Sequence, residues 1–257
     1  MFLKRMSAVL VATLLTTLPA TAAPILVSTE LSLLVDVSGS VSATEFALQR
    51  NGYVAAFQSV TVQNLIANTP NGIAVNFIYW SGAVQQQQAV GWTHLTNAAS
   101  SNSFAALIQA TNRPFGGSTA PGSALNFAVP LFASNNFTGD RQVIDVSGDG
   151  AQNDGADTLT ARNAALAAGI DAINGLPILG EAGLLAFYQN NIQGGSGSFT
   201  LAAANFQSFN AAVENKLFRE ISVSNPIPEP ATLAVFGGIA LAGALGYRRR
   251  KAATVTA

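Results

Sequence analysis

Three segments of this sequence carry oxygen-bearing side chains at spacings that suit a hard metal cation. Asp36, Ser38 and Ser40 form the pattern D-x-S-x-S at the end of the apolar run "ELSLLVDV". Thr119 lies in the glycine-rich stretch "GGSTAPGSAL", and Asp149 follows another apolar run in "DVSGDG". Two carboxylates and three hydroxyls, with no soft ligand among them, suit Mg²⁺, Mn²⁺ or Ca²⁺ better than zinc or copper.

These side chains can share one ion only if the elements before them lie side by side in one sheet. The run at 30–37 is nearly continuously apolar, which predicts a strand buried on both faces. Ser42 and Glu45 in "SATE" predict the capping box of a helix that continues to about residue 68. Further strands are predicted at 71–82, 85–95, 141–150 and 169–178, and further helices at 98–111, 121–132, 157–168, 181–191 and 203–221.

Strands that alternate with crossover helices predict a Rossmann-like α/β fold with a mostly parallel central sheet and helices on both faces. The hairpin-like region 72–95 is expected to add one antiparallel edge strand. Ligands bind beyond the carboxyl ends of the strands in such a sheet. The three polar segments are predicted to lie at that edge.

Both ends of the chain resemble targeting segments. Residues 1–23 contain Lys4 and Arg5, then an apolar run and small residues, which is typical of a cleaved signal peptide. Residues 225–257 contain the triplet Pro228, Glu229 and Pro230, then an apolar segment at 231–247 and a basic tail at 248–251. The C-terminal segment is long enough to be a marginal transmembrane helix.

The order of triplet, apolar helix and basic cluster resembles the PEP-CTERM sorting signal of Gram-negative bacteria. The resemblance implies that an exosortase recognises Pro228, Glu229 and Pro230. It also implies that the segment 231–247 is held transiently in the inner membrane before release to the cell surface or the extracellular matrix. The sequence thus predicts a signal peptide at 1–23, one domain at 24–224 and a sorting segment at 225–257.

Composition narrows the classes of partner. The whole chain has 12 basic and 13 acidic residues. Six of the basic residues lie in the two terminal segments, whereas all 13 acids lie between residues 24 and 230, so residues 24–230 carry a net charge of −7. Such a surface repels nucleic acid and attracts cations.

The polar segments together resemble the metal-ion-dependent adhesion site (MIDAS) of von Willebrand factor A (vWA) domains. The resemblance spans residues 28–222, and "DVSGDG" and "INGLPI" also occur in an uncharacterised bacterial subgroup of that fold. It implies that Ser38, Ser40 and Thr119 supply hydroxyls to one ion. Asp36 and Asp149 would bind the ion directly or through water, and an acidic group of a partner would complete its coordination.

Other interpretations of these residues exist. Ser and Gly are common turn residues after a strand, and a lone Asp can cap a helix. The stretch "DVSGDGAQNDGA" imitates an EF-hand loop but has Ala156 where a bidentate Glu is needed. A second cation near Asp149, Asp154 and Asp157 is a further alternative. Against a serine hydrolase, the only histidine, His94, falls in a predicted edge strand, and the G-x-S-x-G motif is absent.

The sequence therefore predicts an exported, non-enzymatic binding protein that holds an acidic group of a protein or polysaccharide through one Mg²⁺, Mn²⁺ or Ca²⁺ ion. A metal-dependent hydrolase on the same scaffold is the second hypothesis. It is disfavoured because no Glu, Lys or His near the loops is evident as a base. A matrix component whose metal ion only stabilises the loops is the third.

Overall fold

The structure is a computed structural model that describes residues 23–224 and contains one six-stranded and one two-stranded sheet. The strands of the large sheet are β2 (Thr29–Asp36), β3 (Ile73–Trp80), β4 (Gln86–Leu95), β6 (Gln142–Gly148), β7 (Ala172–Pro177) and β8 (Gly194–Gly195). The small sheet pairs β1 (Ile25–Val27) with β5 (Phe137–Gly139). The order in the large sheet is β4-β3-β2-β6-β7-β8, so β2 lies at its centre.

The predicted mostly parallel α/β architecture is confirmed. Strands β3, β2, β6 and β7 run parallel to their neighbours in the large sheet. Strand β4 pairs antiparallel with β3 at one edge, as the sequence predicted. The prediction of a single antiparallel edge strand was incomplete, because the short β8 pairs antiparallel with β7 at the other edge.

Helices cover both faces of the sheet. They are α1 (Ala43–Gln58), α2 (Val60–Asn68), α3 (Ala98–Gln109), α4 (Pro121–Ala133), α5 (Thr158–Ala167), α6 (Leu184–Phe187) and α7 (Phe209–Ser224). A π-helical turn, Tyr188–Ile192, continues α6, and a 3₁₀ turn, Phe206–Ser208, precedes α7. The side chains of β2 alternate between the two cores: Leu33 and Val35 pack with α1, α2, α3 and α7, whereas Leu34 packs with α4, α5 and α6.

The helix predicted from residue 42 to about residue 68 is two helices. Its start is as predicted, because Ser42 and Glu45 form the reciprocal capping box of α1. The break falls at Ser59, whose backbone is extended and whose hydroxyl accepts a hydrogen bond from the Val62 N–H. A serine that can cap a new helix competes with continuation of the old one.

The glycine-rich stretch after the π turn contains strand β8. Gly195 has a φ of 89°, and a Cβ there would lie 2.1 Å from the Asp171 carbonyl oxygen. Only glycine allows this backbone conformation and this close approach without strain. These glycines therefore permit a tight edge pairing.

A buried ionic cluster fastens α7 to the centre of the sheet. The Lys216 ammonium pairs with the Asp145 carboxylate of β6 and, at 2.7 Å, with Glu220 one helical turn away. Asn174 of β7 donates a 2.8 Å hydrogen bond to the same Glu220 oxygen. Burial raises the pKa of Asp145 to about 7. Lys216 opposes this shift only in part, because its ammonium is shared with Glu220, whose carboxylate raises the pKa of Asp145 further.

Replacement of Lys216 by methionine is expected to lower the free energy of unfolding by about 3–5 kcal/mol, because two buried carboxylates then lose their only cation. Urea unfolding of the purified protein measures the change. The triple variant Lys216→Met, Asp145→Asn, Glu220→Gln removes all three charges and should recover most of the loss. Equal stability of wild type and Lys216→Met would contradict the assigned role of the cluster.

Two predicted segments lie outside the described residues. They are the signal helix within 1–23 and the transmembrane segment 231–247, together with the triplet at 228–230. Within residues 23–224, no helix combines the length and the apolar character needed to cross a bilayer.

Candidate metal centre

Three loops meet at the carboxyl edge of the sheet. Loop 1 (37–42) follows β2, loop 3 (149–157) follows the adjacent β6, and loop 2 (110–120) leads into α4. Crossovers leave β2 and β6 towards opposite sides of the sheet, and crevices that bind ligands form at such points in open α/β sheets.

Loops 1 and 3 are joined by side-chain hydrogen bonds. The Ser38 N–H donates to Asp36 Oδ1 at 2.7 Å, and the hydroxyls of Ser38 and Ser40 lie 3.1 Å apart. The Ser40 hydroxyl donates to Asp149 Oδ1 at 2.7 Å. Four of the five predicted ligand side chains are therefore linked in one chain of contacts, from a buried carboxylate to a half-exposed one.

Loop 2 brings Thr119 to the same place. The Thr119 N–H donates to the Asn153 side chain at 2.8 Å, and the Asn153 N–H donates back to the Thr119 carbonyl at 3.0 Å. The Thr119 hydroxyl lies beside Gly150, the residue after Asp149. Thr119 is buried, whereas its neighbour Ser118 is exposed, so Thr119 is the hydroxyl that faces loop 3.

Arg113 fixes loop 1 against loop 2, and the sequence analysis missed this residue. Its guanidinium donates to the carbonyls of Val37 at 2.8 Å, Ser38 at 2.7 Å and Val41 at 2.7 Å. The Gly39 N–H also donates to the Gly117 carbonyl at 2.7 Å. The sequence feature that could have pointed to Arg113 is its place in a glycine-rich loop of a chain that has few basic residues.

Asp36 is fully buried and only half satisfied. Its Oδ2 atom has no hydrogen-bond partner, and neither does the buried Tyr188 hydroxyl. A Cβ on Gly148 would lie 2.6 Å from Asp36 Oδ2 and 2.9 Å from that hydroxyl, so only glycine fits between them. A buried carboxylate with one unpartnered oxygen, in the same loop cluster as the hydroxyls of Ser38 and Ser40, belongs to a set of oxygen donors that fits a divalent cation.

Burial also shifts the protonation of both carboxylates when no cation is bound. It raises the pKa of Asp36 to about 7, and the hydrogen bonds from Ser38 only partly oppose this. Burial raises the pKa of Asp149 as well, and the nearby carboxylates of Glu45 and Glu181 add to the effect.

No Glu near the loops was evident as a base from the sequence, but two glutamates lie close to Asp149 in the fold. Glu45, in the first turn of α1, and Glu181, after β7, line a cavity of about 300 Å³ together with Asp149. One Glu181 oxygen accepts a 3.0 Å hydrogen bond from the Ala151 N–H of loop 3. Glu181 lies in a separate chain segment, so no local pattern places it at the site, whereas Glu45 follows loop 1 directly in the capping box of α1.

The residues that suggested other kinds of site in the sequence make structural contacts in the fold. Asp145 of the EF-hand-like stretch is buried within β6 and pairs with Lys216. The Asp154 carboxylate accepts from the Ala83 N–H, and Asp157 caps α5. His94 lies on the edge strand β4 and hydrogen-bonds the Asn71 carbonyl just before β3, at the opposite edge of the sheet from the three loops. Among residues 23–224, no group of three or more His, Asp or Glu side chains is arranged to hold a metal ion.

Comparison with protein families gives two matches that together cover most of the chain. Residues 26–225 match a family described as protein of unknown function (DUF1194). The chain belongs to this family. Residues 226–251 match the PEP-CTERM protein-sorting motif, so the resemblance to this sorting signal is confirmed. No curated protein matches the chain in sequence.

Several solved structures share the fold. The pilus adhesin SpaC from Lactobacillus rhamnosus GG, in an open conformation, is 16% identical over 79% of this chain and 30% of its own, with a TM-score of 0.56. The PilB minor pilin from Streptococcus sanguinis is 14% identical over 79% of this chain and 63% of its own, with a TM-score of 0.54. Proximal thread matrix protein 1 from the mussel byssus, with a zinc-occupied MIDAS motif, is 15% identical over 77% of this chain and 46% of its own, with a TM-score of 0.53.

This chain spans less than two thirds of the length of each of these proteins. At such identities the matches establish the fold alone. They confirm that the DUF1194 domain has the α/β fold of vWA domains, as the resemblance of the sequence implied.

Without metal, the contribution of Asp36 to the stability of the fold should depend on pH. Its folded pKa of about 7 lies above the unfolded value of 3.8, so the folded state binds the extra proton and stability falls as the pH rises between these values. Asp36→Asn removes this penalty. In EDTA, the gain in melting temperature of Asp36→Asn over wild type should therefore grow from about pH 4 to about pH 7.

The isosteric variant Asp140→Asn, at the opposite edge of the sheet, controls for the loss of one negative charge. The same pH series is measured for this control, and the gain of Asp36→Asn is taken relative to it. A gain for Asp36→Asn that is largest at low pH would reverse the expected sign and contradict the account.

Proposed function

We propose that this chain is an exported binding protein that holds an acidic group of an extracellular protein or polysaccharide through one divalent cation. Asp36, Ser38, Ser40, Thr119 and Asp149 would hold the ion. Mg²⁺ is the preferred ion, with Mn²⁺ or Ca²⁺ as alternatives that the same oxygen ligands accept.

The observation that carries the proposal is the closed arrangement of the three loops. Ser40 joins loop 1 to loop 3, Thr119 joins loop 2 to loop 3, and Arg113 joins loop 2 to loop 1. Each bond holds a proposed ligand or its immediate neighbour. The hydroxyls and carboxylates are thus positioned before any ion arrives, which is what a preorganised metal site requires.

The charge of the ligand set explains why a partner would bind. The two carboxylates only partly neutralise a divalent ion, and the three uncharged hydroxyls donate little charge to it. A bound ion would supply a Lewis-acidic position for one more anionic oxygen, and a carboxylate is the natural group to fill it. Ser40 is exposed and Asp149 half-exposed, so a partner can reach this side of the site from solvent.

The place of action follows from the sorting motif. The match at residues 226–251 supports export and surface association. We further propose that an exosortase recognises Pro228, Glu229 and Pro230 and that the segment 231–247 crosses the inner membrane of a Gram-negative bacterium only during export. The adhesin, pilin and thread-matrix proteins that share the fold are in keeping with a binding role outside the cell.

The test is retention of partners from native extracellular material by immobilised full-length chain. With about 5 mM Mg²⁺ a partner should be retained and then released by EDTA. Asp36→Ala and Thr119→Ala should each lower retention by at least about tenfold, because each removes a proposed ligand. Ser118→Ala removes the adjacent exposed hydroxyl and should retain the partner as wild type does.

Retention that survives EDTA, or that is equal in Asp36→Ala and wild type, would sink the proposed binding role. Circular dichroism of each variant ensures that loss of retention does not reflect loss of folding. Isothermal titration with Mg²⁺ shows separately whether each variant still binds the ion.

A metal-dependent hydrolase is the second candidate, and the position of Glu45 and Glu181 beside Asp149 favours it. Both glutamates already accept a hydrogen bond from a backbone N–H, as structural carboxylates do. Turnover of model esters or phosphoesters that is lost in Asp36→Ala would support this candidate. The third candidate, a matrix component, predicts a lower melting temperature in Asp36→Ala with unchanged matrix attachment.

A further inference from the structure

A groove adjoins the proposed metal centre and has a chemistry of its own. We name it the acidic groove; its volume is about 300 Å³. The residues that line the acidic groove include the acidic residues Glu45, Asp149 and Glu181 and the apolar residues Ile178, Leu179 and Phe206. Asp149 is shared, so an occupant of the groove would lie directly beside a group held at the centre.

No basic side chain of the described chain compensates these carboxylates. None of the six Arg and Lys residues within 23–224 lines the groove, and the salt bridges of this part of the chain are confined to the buried Lys216 cluster. The basic residues are engaged elsewhere, with backbone carbonyls, buried acids or a ring: Arg50, Arg113, Arg141, Arg162, Lys216 and Arg219.

The groove combines an apolar surface with negative charge. Ile178 is buried, Phe206 is half-buried, and Leu179 is 36% exposed. A lysine or arginine side chain suits such a surface, because its methylene stem packs on apolar groups while its charged head meets carboxylates. A purely anionic ligand would be repelled by Glu45 and Glu181 even though a cation at the centre attracts it.

We propose that the acidic groove receives a lysine or arginine side chain of a protein partner, within a few residues of the acidic side chain that binds at the centre. This inference rests on the proposed function and narrows its ligand to a protein segment of mixed charge. Glu45 and Glu181 are then residues that determine specificity. A polyanionic polysaccharide is disfavoured as the natural partner.

The test uses synthetic peptides displayed densely on beads, because display adds avidity to weak single contacts. Each peptide carries one Asp followed at one to four residues by Lys, and each has a twin with norleucine in place of Lys. Retention of the purified full-length chain is measured in Mg²⁺ and in EDTA. At least one lysine peptide should retain wild type about tenfold better than its norleucine twin in Mg²⁺.

The double variant Glu45→Gln, Glu181→Gln should bring this ratio close to one. Glutamine keeps the acceptor oxygens that the Ser42 and Ala151 N–H groups use, so the local fold is preserved. Asp140→Asn, which changes charge at the opposite edge of the sheet, should leave the ratio unchanged. The two single variants give a second measurement should the double variant fold poorly.

The outcomes separate this inference from the one on which it rests. If no peptide is retained in a Mg²⁺-dependent way, or if Asp36→Ala retains them as well as wild type, the proposed function fails. If the lysine and norleucine twins are retained equally in Mg²⁺, the proposed function stands and the role of the acidic groove is wrong. Stronger Mg²⁺-dependent retention by beads that carry polyuronate would overturn the protein partner in favour of a polysaccharide.

Discussion

The burial of Asp36 at the end of the central strand is the constraint on which the rest of the site depends. An ionised carboxylate without solvent contact is destabilising by several kcal/mol unless it is paired or protonated. One Asp36 oxygen accepts a hydrogen bond from Ser38, and the other has no partner. The folded chain therefore favours either a proton or a cation at this oxygen.

The loops around Asp36 are held mainly by backbone groups and by one arginine rather than by packing of large side chains. Arg113 donates hydrogen bonds to three backbone carbonyls of loop 1. Gly39 and Gly117 bring the backbones of loop 1 and loop 2 into direct contact. Small residues at these positions let the loops approach closely, and the guanidinium supplies several fixed donors. The result is a site whose geometry derives from the sheet edge, while the proposed metal ligands are short, polar side chains.

The parts of the fold that the sequence predicted are those governed by local periodicity and capping. The continuous apolar run of β2 and the capping box of Ser42 and Glu45 are visible within a few residues, and both occur as predicted. The break at Ser59 was missed because the apolar pattern continues through it. Strand β8 was missed because two glycines carry no strand propensity and pair only where β7 offers a free edge.

The candidate site shows the same division. The proximity of Asp36 and Asp149 follows from the rule that parallel strands end at one edge, and this rule needs only the order of the elements. Thr119 lies between α3 and α4, and its hydrogen bonds with Asn153 bring it to loop 3. The positions of Arg113, Glu181 and Tyr188 depend on how loops and helices cross over the sheet, which no short pattern encodes. The partnership of Lys216 with Asp145 was hidden for the same reason, since it joins residues far apart in the chain.

The most direct measurement of the central claim is an anomalous difference map from crystals of the chain grown or soaked with Mn²⁺. The account predicts one dominant peak between the hydroxyls of Ser38, Ser40 and Thr119 and the carboxylates of Asp36 and Asp149, and no such peak in crystals of Asp36→Ala. A well-ordered wild-type site without that peak, or a peak held by other residues, would contradict the account.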